Sequence, residues 1–154
     1  MSIENSQAHL AAYTKDQNLA ELMIPAVGRL YRENGIIVTV FGRKLMNSSV
    51  IDIIKAHRFG RSLVGHESTL EQTSEMLRAI SAMNLSTSRI DIGKLAHYYF
   101  NGNTPEDSLQ DYLSRELGSV LGNAEAEAPI PRDVVLYGFG RIGRILARLL
   151  IERS

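Results

Sequence analysis

Three glycines near the end of the chain have a spacing that could do chemistry: Gly138-x-Gly140-x-x-Gly143. An apolar run, Val134 to Tyr137, leads into them. After them the apolar period becomes helical, with Ile142, Ile145, Leu146, Leu149 and Leu150. The pattern predicts strand, tight turn and helix, the arrangement that binds dinucleotides. Each glycine then has a separate job. Gly138 permits the sharp turn out of the strand, Gly140 lets a pyrophosphate approach the backbone, and Gly143 lets the helix pack closely against the strand. Unpaired N–H groups at the helix start, with the positive end of its dipole, favour the phosphate charge. The candidate cofactor-binding residues are Gly138, Phe139, Gly140, Arg141, Ile142 and Gly143.

Other reactive side chains are sparse. The chain has no cysteine, which excludes disulfides, thiolate catalysis and cysteine-ligated zinc. His9, His57, His66 and His97 have no i, i+4 pairing, and no metal site is expected from them. His57 and His97 lie on helical apolar stripes, where a hydrogen-bonded, partly buried histidine is the ordinary outcome. Nothing matches the Gly-x-Ser-x-Gly nucleophile elbow. No catalytic residue is assigned.

The residues that fill the turn go beyond the bare glycine pattern. Gly138-Phe139-Gly140-Arg141-Ile142-Gly143-Arg144 resembles the first strand–helix turn of glyceraldehyde-3-phosphate dehydrogenase. The resemblance implies that the backbone at Arg141 and Ile142 faces the pyrophosphate of NAD or NADP. It further implies a phosphorylated aldehyde substrate, a homo-oligomer and a cytoplasmic enzyme of glycolysis or gluconeogenesis. One position departs from the family: Tyr137 stands where an asparagine is usual. Family catalysis needs a cysteine nucleophile and a histidine base, and this chain cannot supply the first. A dinucleotide site also needs several parallel strands and an acidic residue about 20 positions beyond the glycines. The chain stops at Ser154, so the expectation is an N-terminal fragment or a truncated product. By itself it should be non-catalytic and hold no dinucleotide tightly.

The elements that would position this turn are mostly helical. Residues 1–16 are polar and expected to be flexible. Leu19, Leu22, Met23, Ala26, Val27, Leu30 and Tyr31 form an amphipathic stripe, with Pro25 expected to kink or break it. Asn34-Gly35 stops that helix. Ile36–Phe41 reads as a strand with no partner of similar quality before Val134. Ser48 or Ser49 caps a helix carrying Val50, Ile51, Ile53, Ile54 and His57, closed by Phe59-Gly60. Ser68-x-x-Glu71 reads as a capping box for the next helix, and Ser88-x-x-Asp91 for the one after, which Asn101-Gly102 stops. Thr104-Pro105-Glu106-Asp107 starts a further helix through Leu109, Tyr112, Leu113, Leu117, Val120 and Leu121, terminated by Gly118 or Gly122. Residues 122–131, with two prolines and alternating Ala and Glu, have linker composition.

The predicted fold class is therefore a mainly α N-terminal module followed by the first βα unit of a Rossmann (α/β) NAD-binding domain. Residues 17–121 form the module of about five helices, 122–131 the linker, and 132–154 the incomplete Rossmann unit. The module is similar to the N-terminal helical extension of longer bacterial dehydrogenases of this kind.

Charge sorts the remaining readings. The chain is formally neutral, so no global charge argues for nucleic acid. Residues 29–61 carry seven Arg and Lys against two acids, whereas 67–127 carry four against ten. Solvated helix faces explain such blocks. Two alternative functions remain: a helical oligomerisation or interaction module, and a helix-turn-helix DNA reader over Thr73–Tyr99. The second offers only Arg89 and Lys94 around Asp91 on its reading helix, which argues against it. No apolar run approaches the ~20 residues of a membrane span, and the N-terminus lacks the apolar core of a signal peptide.

Overall fold

The computed structural model describes residues 3–65, 69–102, 108–122 and 134–153. The chain begins with a 32-residue helix, α1 (Ile3–Asn34). The described residues 3–16, within the segment expected to be flexible, continue this helix. Pro25 does not break it. Proline leaves the carbonyl one turn back without its N–H donor, and Pro25 lies on the exposed side, where water can satisfy that oxygen. The inward side is a continuous apolar stripe of Ala20, Met23, Val27 and Leu30, all buried.

Strand β1 (Ile37–Val40) follows, and it does have partners. It pairs antiparallel with β2 (Arg43–Lys44) and parallel with β3 (Arg89–Asp91), giving the strand order β2-β1-β3. Sequence reading missed both, because two and three residues carry no periodic signal. Between β1 and β3 the chain makes a helical crossover through α2 (Val50–Val64) and α3 (Leu70–Ser81), as a parallel pairing requires. Helices α1, α2 and α4 (Ile92–Asn101) all touch β1. Val38, Thr39 and Val40 are therefore buried in succession, without alternation.

The helix boundaries show where packing overrides local signals. α2 does not close at Phe59-Gly60; it continues to Val64, and the Gly65 N–H donates to the Arg61 carbonyl. Gly60 is buried beneath the Phe41 ring, so it is a packing glycine and not a stop. At the other end, the Ser49 hydroxyl accepts the Asp52 N–H at 3.2 Å, and Asp52 accepts from the Ser49 hydroxyl at 2.7 Å. These bonds hold the Asp52 carboxyl below the usual carboxylate range. The box at α3 is formed by Thr69 and Gln72, while Ser68 lies outside the described residues. Asp91, not Ser88, caps α4. α5 (Leu109–Glu116) is capped by Ser108; Thr104–Asp107 lie outside the described residues. A short 3-10 turn, Gly118–Val120, ends the module.

The module's last residues are tied back to its middle. Ser86 N–H donates to Val120 O at 3.0 Å and Gly122 N–H to Asn84 O at 3.2 Å. Asn34 at the end of α1 reaches the same loop through Leu85 O. The core therefore closes on itself before the predicted linker, of which only Gly122 is described. Helix α6 (Arg141–Arg153) follows the glycine turn. The predicted strand Val134–Tyr137 is not a strand: it joins no ladder, and Val134, Val135 and Tyr137 are exposed. A strand needs a paired neighbour for its N–H and C=O groups, and none of the described strands pairs with it. The observed architecture is an α-rich region around a small mixed sheet, followed by a turn and helix.

Candidate functional site

The glycine turn is held by its own backbone. Gly138 adopts φ +97°, which side-chain-bearing residues rarely do. A Cβ on Gly143 would collide with the Gly138 carbonyl oxygen, so the helix start lies directly on the turn. A Cβ on Gly140 would meet nothing within 4 Å. The Arg144 N–H donates to Gly140 O at 3.1 Å, closing the first turn of α6. The amides of Arg141, Ile142 and Gly143 precede that bond, so helix geometry gives them no intrahelical acceptor.

Around this turn lies an open hollow of about 510 Å³, lined by Gly138, Gly140, Arg141, Ile142 and Gly143 together with Val135, Leu136, Tyr137 and Leu146. Five of the six candidate residues line it. Phe139 is exposed and is not part of its lining. The arrangement combines free amides, an arginine and an unobstructed backbone at Gly140, which together suit a phosphate-bearing ligand. Tyr137, at the departing position, is fully exposed beside Gly138.

The remaining sequence candidates are placed apart from this turn. His57 is buried, with Nδ1 at 2.8 Å from Ile53 O and Nε2 at 2.7 Å from Thr73 Oγ1. A carbonyl can only accept, so Nδ1 carries a proton and the ring joins α2 to α3 as a structural group. His97, on α4, stacks edge-on with Tyr98. His66 lies outside the described residues. No group of three or more His, Asp or Glu residues among those described could hold a metal ion. Among the described residues no helix is long and apolar enough to cross a membrane.

The helix-turn-helix reading fails on topology. α3 and α4 are joined through strand β3, which pairs with β1, and not by a short turn. The α4 N-terminus, which would enter a groove, is occupied by the Asp91 carboxylate.

Two residues make long-range bonds that the sequence reading did not assign to them. Asp91 accepts from Phe41 N–H, Gly42 N–H and Lys94 N–H. Lys44 Nζ donates to Glu152 O at 3.3 Å, touching the C-terminal end of α6. Apart from the Asp91–Lys94 cap, no local signal marks these bonds, because they join residues far apart in sequence.

No protein-family model matches the chain. The chain is similar to a glyceraldehyde-3-phosphate dehydrogenase-like protein of Pseudomonas aeruginosa (strain UCBPP-PA14). The two are 44% identical over 135 residues, which is 86% of this chain. The chain spans 29% of that relative's length.

Proposed function

We propose that Gly138–Gly143 is the pyrophosphate-binding turn of an NAD- or NADP-dependent oxidoreductase resembling glyceraldehyde-3-phosphate dehydrogenase. The observation that carries this is the division of labour among the glycines. Gly143 is compulsory for close packing on Gly138, whereas Gly140 is sterically free in the protein alone. The open space at Gly140 leaves room for a ligand to come close to the backbone there. The long identity with a dehydrogenase-like relative supports the same reading.

In this reading the amides of Arg141, Ile142 and Gly143 receive the pyrophosphate, and the Arg141 side chain offsets its charge. Residues 17–121 are a helical module, 122–131 a linker, and 132–154 the opening unit of a Rossmann domain. A dinucleotide held there would supply a hydride acceptor for oxidation of a phosphorylated aldehyde substrate. The nucleophilic cysteine and its base belong to sequence other than these 154 residues.

The test is made in the longer polypeptide, expressed from coding sequence that continues past Ser154. Gly140→Val should leave folding unchanged, because the space around Gly140 is open, yet weaken NAD binding at least about tenfold. Gly143→Val should destabilise the unit itself. Unaltered NAD affinity in the Gly140 variant would refute the site, and a continuing sequence without a cysteine would refute the reaction class.

A further inference from the structure

We propose that the solvent side of α2 is a docking face for an anionic phospholipid bilayer. The inference is independent of the dinucleotide reading.

The inner side of α2 is spent on the core, where Ile53, Ile54, Ala56 and His57 are buried. Its outer side is nevertheless not simply polar. Ile51, Phe59 and Leu63 are 52%, 37% and 57% exposed there. Lys55 and Arg58 lie exposed between them. From β2, Arg43 sets its guanidinium 4.0 Å from the centre of the Phe59 ring and adds a third cation. Asp52 is the one acid of α2, and its carboxylate is engaged at the helix start by the Ser49 N–H and hydroxyl. The face is thus cationic and apolar at once, which a merely solvated helix face is not.

Charge and order along the helix select the occupant. Three cations against one capping carboxylate attract an anionic surface and repel a basic one. A partner helix needs a continuous apolar stripe. Here Lys55 and Arg58 interrupt the stripe between Ile51 and Phe59. A bilayer surface suits that order, because its phosphates and the acyl boundary lie within about 5–10 Å in depth. Ile51, Phe59 and Leu63 can enter the boundary while Lys55 and Arg58 reach the phosphates on flexible stems. Nucleic acid fits less well: Ile51 and Leu63 offer no ring to a base, and Arg43 already covers one face of Phe59.

The 154-residue chain is mixed with phosphatidylcholine vesicles, with or without about 30% phosphatidylserine, and sedimented. Wild type should pellet with the anionic vesicles and not with the neutral ones, and about 0.5 M salt should weaken the binding. The Lys55→Glu/Arg58→Glu double variant should bind the anionic vesicles at least about tenfold less tightly, with helical circular dichroism unchanged. The chain has no tryptophan, so an introduced one reports its own surroundings. Leu63→Trp emission should shift to the blue on anionic vesicles, whereas that of Leu10→Trp, on α1, should not. Absence of pelleting with anionic vesicles overturns the proposal, as does an unshifted Leu63→Trp. A chain that binds a random-sequence DNA duplex but no vesicle has a nucleic-acid face instead. Vesicle binding that survives the double variant and is lost in Leu146→Glu assigns the contact to α6 and overturns the proposal equally. Should the double variant lose helix, Lys55→Gln/Arg58→Gln and the tryptophan shift decide.

Discussion

The Asp91 carboxylate accepts the Gly42 amide N–H at 2.7 Å, from 49 residues away in the chain. Its other oxygen accepts from Phe41 N–H at 2.9 Å and from Lys94 N–H at 3.0 Å. One side chain thereby holds the β1–β2 turn, ends β3 and caps α4. The turn needs holding. Phe41 and Gly42 both have positive φ, +47° and +81°, as tight two-residue hairpins demand, and Phe41 has a Cβ that disfavours it. Asp91→Ala should therefore cost more than an isolated cap, about 2–4 kcal/mol in urea unfolding. A loss under 1 kcal/mol would mean that the turn holds itself.

The strained Phe41 places its ring against two helices. Cβ atoms on Gly60 of α2 and Gly93 of α4 would both clash with that ring. Glycine to alanine in a helix is ordinarily stabilising by about 1 kcal/mol. Here the sign should reverse: Gly93→Ala should destabilise by about 1–3 kcal/mol through overpacking. In a Phe41→Leu background the penalty should shrink, and a double-mutant cycle measures the coupling. Additive effects would remove Phe41 as the cause.

Tyr112 predicts an alkaline limit to stability. Its hydroxyl donates to Leu95 O at 3.1 Å, and burial, assisted by Glu116, pushes its phenol up to about 12. The folded value exceeds the unfolded one near 10, so the unfolded chain releases its proton first. The stabilisation is complete below pH 10 and is lost as pH rises towards 12. Thermal unfolding of wild type and Tyr112→Phe should converge across that window. Parallel curves would show that another group sets the limit.

The chain by itself should bind NAD no more tightly than roughly millimolar. Among the described residues no strand pairs beside the turn, and the sequence has no acid about 20 positions past the glycines, so ordering costs offset the pyrophosphate contacts. Calorimetry giving micromolar affinity would show that 154 residues form a complete site.

Helix α6 should be separable from the module. Ile142, Ile145, Leu146, Leu149 and Leu150 are all exposed, a patch of the kind that lowers solubility. Lys44 of the sheet donates to Glu152 O at 3.3 Å in an exposed hydrogen bond, a contact worth little. Deleting residues 132–154 should raise solubility and leave the helical circular dichroism of 17–121 intact. Unfolding on deletion would make α6 integral to the first unit.

Much of this was legible in the residues alone, where the signal is local. The stripe Met23, Val27 and Leu30, the Asn34-Gly35 stop, the Ser49 cap and the Gly138–Gly143 spacing each fit within a few turns of chain. Helix identity and the candidate turn follow from them. What tertiary structure decided is non-local. β2 and β3 exist because β1 lies beside them, and Arg43-Lys44 has no strand signal of its own. Gly60 reads as a stop until the Phe41 ring is seen to fill its place. Pro25 reads as a break until its exposed position and the buried stripe opposite are known. Val134–Tyr137 has strand composition, but composition supplies no partner for its backbone. Hydrogen bonding between distant segments and close packing at a missing Cβ depend on which residues meet in space, and a linear pattern records only which residues are neighbours in the chain.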